Sequence, residues 1–359
     1  MEITSSSPGN MGACTDDTNQ PTPLVTFVVP CYNSASYMRP CIESLLTAGH
    51  PCEILLINDG STDNTGEIAR EYAAAHPQVR AIDQANANWG GVVNRGLKEA
   101  RGIYFKIVDS DDHIDTDALR RVLDTLALAV EAGNAPDLLI TNYVYDRITD
   151  GSRHTIHYRS LFPAGQVFRW KDMGKPGIDQ FIMVHASWYK TEVLRRSGLE
   201  LPEGVSYMDS HFVLHPLPFV ETIFYLDVDA YHYIIGRDGQ SVEVEVVKRC
   251  IDQQLKASYM AIDGYDYASL YQQEPNQALL MMGYVSCMMS VSTIYLFKIG
   301  TPEALEKNRR LWQHMQEQNP VLYQNVKKSW AGRANRKTPI GRFIAKIGYG
   351  LAQKIFKFA

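Results

Sequence analysis

The chain has 359 residues, a net charge of -5, 45% hydrophobic and 21% charged residues. This is the composition of a globular protein with ample core, room for one large domain plus a smaller attachment, and no general attraction to nucleic acid. Six cysteines (Cys14, Cys31, Cys41, Cys52, Cys250 and Cys287) form no C-x-x-C pair or zinc-like spacing, so they read as small buried apolar residues in a reducing compartment.

Residues 1–22 are polar, rich in Ser, Thr, Asn and Gly, and carry no apolar run. They read as a disordered leader, neither signal peptide nor membrane anchor. Val25 to Val29 is a short strand that ends in Pro30-Cys31-Tyr32-Asn33. A helix opens at Ser34 or Ser36, with Met38, Cys41, Ile42, Leu45 and Leu46 on its apolar stripe, and stops near Gly49. Ile54 to Ile57 is a second strand running into Asn58-Asp59-Gly60-Ser61-Thr62-Asp63. Gly60 permits a sharp turn, and Ser61, Thr62 and Asp63 are caps for a helix over Thr65 to Ala75. Tyr104-Phe105-Lys106-Ile107-Val108 is a third buried strand, and Asp109-Ser110-Asp111-Asp112 then places three carboxylates in four positions. Clustered carboxylates repel unless a cation or solvent relieves them, and a hard divalent metal shared with a phosphate suits them. The competing reading is a solvated acidic turn that caps the helix from Thr116 onward. Lys106, just before the acids, reads as pairing with a carboxylate, with a phosphate as the other option. Three polar loops at the C-terminal ends of successive strands converge on the edge where open parallel sheets bind ligands.

Together these three blocks resemble the nucleotide-sugar half of a family 2 glycosyltransferase of GT-A fold, the inverting type found in bacterial surface-polysaccharide assembly. The segment Asn86 to Gly102, with Gly90-Gly91, Asn94-Arg95-Gly96 and Ala100-Arg101-Gly102, matches that family's connecting segment. Similarity is dense from about Leu24 to Asp115 and traceable to about Val242. The resemblance implies an α/β fold: a Rossmann-like GT-A domain with a mixed sheet, followed by a C-terminal helical region. It implies that Pro30, Tyr32 and Asn33 border the base and ribose of the donor, that Asp59 hydrogen-bonds the base, commonly uracil, and that Asp109 approaches the ribose. Asp111, second acid of the Asp-x-Asp pattern, would bind Mn²⁺ or Mg²⁺ bridging the diphosphate, and Asp112 would assist it or cap the next helix.

Further along, Leu138 to Thr141 is another strand. Gln166-Val167-Phe168-Arg169-Trp170 fits the Gln-x-x-Arg-Trp signature of processive synthases, but it precedes the proposed base by about forty residues and lacks flanking membrane helices, so it reads as a chance match. Tyr207-Met208-Asp209-Ser210-His211-Phe212 resembles the family's acidic motif, with Met208 where the first acid usually stands. Asp209 then aligns with the general base; the competing reading makes it the N-cap of a helix Ser210 to Leu214. His211 and His185 read as core or surface histidines. After the strand Ile223 to Leu226, the segment Tyr231 to Val242 resembles the one that folds over the donor, with Arg237 placed to meet a phosphate.

The remainder is helical: Val244 to Ile262, Pro275 to Phe297, Pro302 to Gln318 and a tail. Pro275 to Phe297 carries no charge and is long enough for a bilayer, which needs ~20 residues. Asn276, Gln277, Ser286, Ser290, Ser292 and Thr293 dilute it, which favours a helix buried between neighbours. From Val321 to Ala359 there are nine bases and no acids, with Ile340, Phe343, Ile344, Ile347, Leu351, Ile355 and Phe358 along one helical face. That pattern suits a helix on an anionic membrane surface or a tail docked on its own protein. The expected division is a leader 1–22, a GT-A domain 23–242 (donor half 23–150, acceptor half 151–242), a helical subdomain 243–330 and a basic amphipathic tail 331–359.

The expected activity is an inverting, non-processive, metal-dependent hexosyl transfer from a UDP-sugar to a saccharide or lipid-linked acceptor. The setting implied is the cytoplasm, with the tail at the inner face of the membrane, no nucleic-acid partner, and a helical part that serves as lid, homo-oligomer surface or membrane dock. Two alternatives stand beside it. One is a non-catalytic nucleotide-sugar-binding relative or partner subunit, supported by Met208. The other is a sugar nucleotidyltransferase, which would need a Gly-rich basic loop where Val29 to Arg39 offers only Arg39.

Overall fold

Continuous aliphatic runs become strands buried on both faces, and they set the first half of the fold. The computed structural model describes residues 22–178, 180–205, 207–237, 248–329, 332, 333 and 335. β1 (Val25–Cys31), α1 (Met38–Leu46), β2 (Cys52–Asp59), α2 (Thr65–Ala75), β3 (Val79–Gln84), α3 (Asn88–Glu99) and β4 (Tyr104–Ile107) alternate along the chain. All four strands run parallel, in the order β3-β2-β1-β4, so their C-terminal ends share one edge. Helices on the faces remove the need for polar alternation, which is why β4 is buried at every position.

The second half turns the sheet mixed. It comprises β5 (His113–Ile114), α4 (Thr116–Glu131), β6 (Leu138–Arg147), β7 (Arg153–Ile156), β8 (Val167–Phe168), β9 (Ser187–Lys190), α5 (Thr191–Arg196), α6 (Asp209–Leu214) and β10 (Ile223–Ile235). β9 lies antiparallel between β4 and β6 and joins the halves, giving the order β3-β2-β1-β4-β9-β6-β10-β5. β10 pairs parallel with β6 and shifts register between Tyr225 and Tyr231, so the separate segments expected there are one irregular strand.

Among the described residues five further helices follow: α7 (Ile251–Asp263), α8 (Tyr267–Gln273), α9 (Pro275–Ile299), α10 (Pro302–Gln318) and α11 (Pro320–Val326). α9 contains the uncharged run and carries Lys298 in its last turn, and it contacts all four of the others. By length and composition it passes for a membrane span, but 72% of its most apolar window is buried inside the protein. Its diluting polar groups are used internally. Ser292 Oγ lies 3.1 Å from Ser258 Oγ, and Thr293 Oγ1 accepts from Trp312 Nε1 at 3.0 Å. The start of the helix expected from Val244, the leader and nearly all of the basic tail lie outside the described residues.

Candidate active site

The three polar loops meet at the shared edge and are stitched together by short side chains. Gly60 takes φ +71°, and a Cβ there would stand 3.0 Å from Asn86 N, so the turn after β2 needs glycine. Asn33, itself at φ +50°, donates its N–H to Ser61 Oγ at 3.0 Å and accepts from Thr62 N at 2.8 Å. Ser34 N donates to Thr65 Oγ1 at 2.7 Å, and Ser34 Oγ lies 2.9 Å from Ser110 Oγ. The loop after β1 is thus bonded to the loops after both β2 and β4. Tyr32 projects from it, 52% exposed, free to offer its ring to a ligand. Pro30 and Cys31 belong to β1, and Asn58 and Asp59 to β2, so both strands run further into the site than their apolar cores indicate. Asp59 is buried, and its Oδ1 accepts from Gln84 Nε2 at 2.8 Å and Ala87 N at 2.9 Å.

The three acids after β4 have different neighbours. Asp109 Oδ1 accepts from Trp89 Nε1 at 3.1 Å, and its N–H donates to Tyr231 Oη at 3.1 Å. Burial, and then the charge of Asp111, push its carboxyl up to about 7. Asp112 is fully engaged: Tyr231 Oη donates to it at 2.6 Å and Ile234 N at 2.8 Å, which fastens the acidic loop to β10. Burial and the other two acids raise its pKa well above the carboxylate range. Asp111 forms an ion pair with Arg237, whose guanidinium also lies 3.9 Å over the Tyr37 ring. Burial opposes the Arg237 charge, but Asp111 raises its pKa nonetheless. Arg237 therefore meets a carboxylate of the acidic loop, at the edge where a diphosphate was expected.

Lys106 departs from both expectations. It is fully buried, and its Nζ donates to the carbonyls of Val184, His185 and Ser187 at 3.1, 2.6 and 3.2 Å. It also sits 5.1 Å from the Trp188 ring centre and 5.0 Å from that of Tyr231. Burial lowers its pKa well below the ordinary lysine value, and the charges of Asp109 and Asp112 offset this only in part. Three carbonyl acceptors call for three N–H donors, which only the ammonium has. The segment it holds carries His185, which is buried, stacked on Tyr233 at 4.6 Å, and has Nε2 3.9 Å from Asp109 Oδ2. Burial, and then the Lys106 charge, lower the imidazole pKa to about 3, so it is neutral.

Asp209 is the first residue of α6, and the N-cap is the buried Met208, so the capping reading of Asp209 does not hold. Its Oδ2 accepts from Tyr284 Oη at 3.4 Å. Burial raises the Asp209 pKa, while the Ser210 N–H and Tyr284 hydroxyl lower it in part. Its charge acts on Asp109, and Phe212 of the same helix packs edge-on to Trp89 at 6.2 Å, so α6 faces the acidic loop.

Carboxylates and an imidazole can ligate a divalent ion, but Asp111, the expected ligand, is not in the group that lies together and is paired with Arg237 instead. Among the described residues, Asp109, Asp112 and His185 offer ligand atoms within 4.8 Å of one another. Buried acids that raise one another's pKa are relieved by positive charge, and on Asp111 a guanidinium already supplies it. Sequence reasoning missed Trp89, Tyr37 and Tyr284. Trp89 sits at the start of a helix obscured by Gly90-Gly91, and nothing in an uncharged run marks one tyrosine as facing a carboxylate.

A mixed sheet with a nucleotide-type parallel half and an acid cluster at its C-terminal edge defines the GT-A class. Residues 26–195 match the model of glycosyl transferase family 2. The chain is 29% identical to the uncharacterized glycosyltransferase EpsJ of Bacillus subtilis, over 67% of this chain and 68% of EpsJ. It is 31% identical to the putative glycosyltransferase EpsH of the same organism, over 60% of this chain and 61% of EpsH. The crystal structure of S. aureus TarS superposes with a TM-score of 0.52 at 18% identity, covering 85% of this chain and 55% of TarS, which speaks for the fold alone. Residues 26–195 thus form a domain that matches glycosyl transferase family 2, in a chain similar to proteins named as glycosyltransferases.

Proposed function

We propose that the protein transfers a hexosyl group, with inversion and one sugar at a time, from a UDP-sugar to a saccharide or lipid-linked saccharide in cell-surface polysaccharide synthesis. Pro30, Tyr32, Asn33 and Asp59 form the nucleoside end of the donor site, and Asp109 approaches the ribose. Asp111 would hold Mn²⁺ or Mg²⁺ once a bound donor draws Arg237 from it, and the ion's charge would stabilise the departing diphosphate. Arg237 adds a second positive group at the same edge. Asp209 takes the proton from the acceptor hydroxyl, on the side of the site that α6 and α9 enclose. In this reading the GT-A domain spans residues 23–242, the helical part 243–330, and the basic tail from 331 meets the anionic inner face of the cytoplasmic membrane.

The observation that carries the proposal is the shared edge. Asp109, Asp111 and the loop of Asn33 are bonded into one unit, with Asp209 near enough for its charge to act on Asp109. A non-catalytic binding role rests on Met208 alone, and Met208 is a buried N-cap residue with Asp209 retained beside it. The test is a panel of nucleotide sugars scored for thermal stabilisation and slow hydrolysis, each with and without Mn²⁺. Metal-dependent stabilisation by one UDP-sugar, with hydrolysis, is the expected result. Stabilisation without hydrolysis would favour the binding role, and no response to any nucleotide would refute the donor site.

A further inference from the structure

The helical part of the chain enters the active site at one atom. α9 is fixed to the acceptor half at several points before it reaches Asp209. Asn276 Nδ2 donates to the carbonyls of Trp170 and Met173, both at 3.2 Å, and Gln277 Nε2 donates to Leu217 O at 2.6 Å. Two turns on, Gly283 presses against the backbone before Phe181: a Cβ there would lie 2.3 Å from Gln180 O. The next residue is Tyr284. Its ring packs on Phe181 at 5.0 Å, and its hydroxyl lies 3.4 Å from Asp209 Oδ2 and 3.8 Å from Met183 Sδ. Tyr284 is buried, so water does not compete for this contact as it would at a surface.

We infer that Tyr284 is a positioning residue for Asp209, its hydroxyl holding the carboxylate toward the acceptor face. The helical part is then a wall of the active site, and the close fit of α9 on Ile178, Gln180 and Phe181 sets the donor-to-acceptor geometry. The inference rests on Asp209 being the general base. A hydrogen bond donated to a carboxylate favours its charged form, and here it offsets in part the burial that favours the neutral one. The ionisable groups around Asp209 are Tyr284 on α9, Asp109 on the acidic loop and Tyr207 just before α6. Asp109 is acidic and Tyr207 is itself raised to about 12, so neither supplies a positive charge that would do Tyr284's work.

The test uses the full chain with its UDP-sugar and three variants. Tyr284→Phe removes only the hydroxyl. It should move the acid limb of the kcat/KM profile up by half a pH unit or more, lower kcat severalfold at pH 7, and leave donor KM within twofold. Tyr284→Gln restores a donor and should return the limb toward its original position. Phe181→Leu loosens the ring contact but keeps the hydroxyl, and should leave the limb in place. An acid limb unmoved in Tyr284→Phe, or moved equally in Phe181→Leu, would overturn the inference and leave a packing role. Should Tyr284→Phe not fold, a limb displaced in Tyr284→Gln would overturn it and an unchanged one support it. Asp209→Asn is measured alongside: if it turns over normally, the general-base reading itself has failed, which the other variants do not decide.

Discussion

Replacing Lys106 with Met keeps the length of the stem and removes the ammonium. Three backbone carbonyls, of Val184, His185 and Ser187, then lose a charged donor in a fully buried position. A hydrogen bond to a charged group is worth about 1.5–3 kcal/mol net, and leaving buried carbonyls short of a donor costs more than removing both partners would. Part of that is returned because Met carries no charge to desolvate. The net loss should be about 2–4 kcal/mol. At ~2–4 °C per kcal/mol for a domain of this order, the melting temperature should fall by roughly 4–16 °C. Scanning calorimetry gives the stability, and UDP-sugar titration well below the melting point gives donor affinity, expected within twofold of the original. A melting temperature unchanged within about 2 °C, with donor affinity down tenfold or more, would refute the reasoning and restore Lys106 as a phosphate contact.

Packing and protonation give two more expected outcomes. Gly283→Ala should destabilise by roughly 1–3 kcal/mol and depress turnover, because its methyl would force α9 away from Gln180; an unchanged melting curve would contradict the close approach. Burial, and then the charge of His215, lower the pKa of His211 from 6.5 to about 4. The unfolded chain therefore takes up a proton in that window which the folded state refuses, and stability falls as pH drops through it, by at most ~3 kcal/mol. His211→Gln should flatten that part of the stability profile, and an unaltered slope would remove His211 from it.

The loops that carry polar residues at strand ends were legible because strand, turn and acid signals occur together at β1, β2 and β4. Each site residue read there stands at the common edge. What escaped was anything whose identity depends on a distant partner. β3 and α3 lack a clean period: Val79 to Gln84 mixes charges into an edge strand, and Gly90-Gly91 interrupts the helix that carries Trp89. Lys106 sits on an apolar strand beside three acids, so pairing with an acid was the natural expectation. Its actual acceptors are nearly eighty residues away on a segment with no sequence signal. The same limit hid Tyr284, whose contact with Asp209 exists only because α9 folds back across the acceptor half.

The acid cluster at the sheet edge is proposed as a metal-dependent nucleotide-sugar site centred on Asp111. Calorimetric titration of UDP into the wild-type chain and Asp111→Asn, each with and without Mn²⁺, tests it most directly. Mn²⁺ should tighten UDP binding at least tenfold in the wild type and not in Asp111→Asn, with both proteins folded. Equal enhancement by Mn²⁺ in the two chains would contradict it.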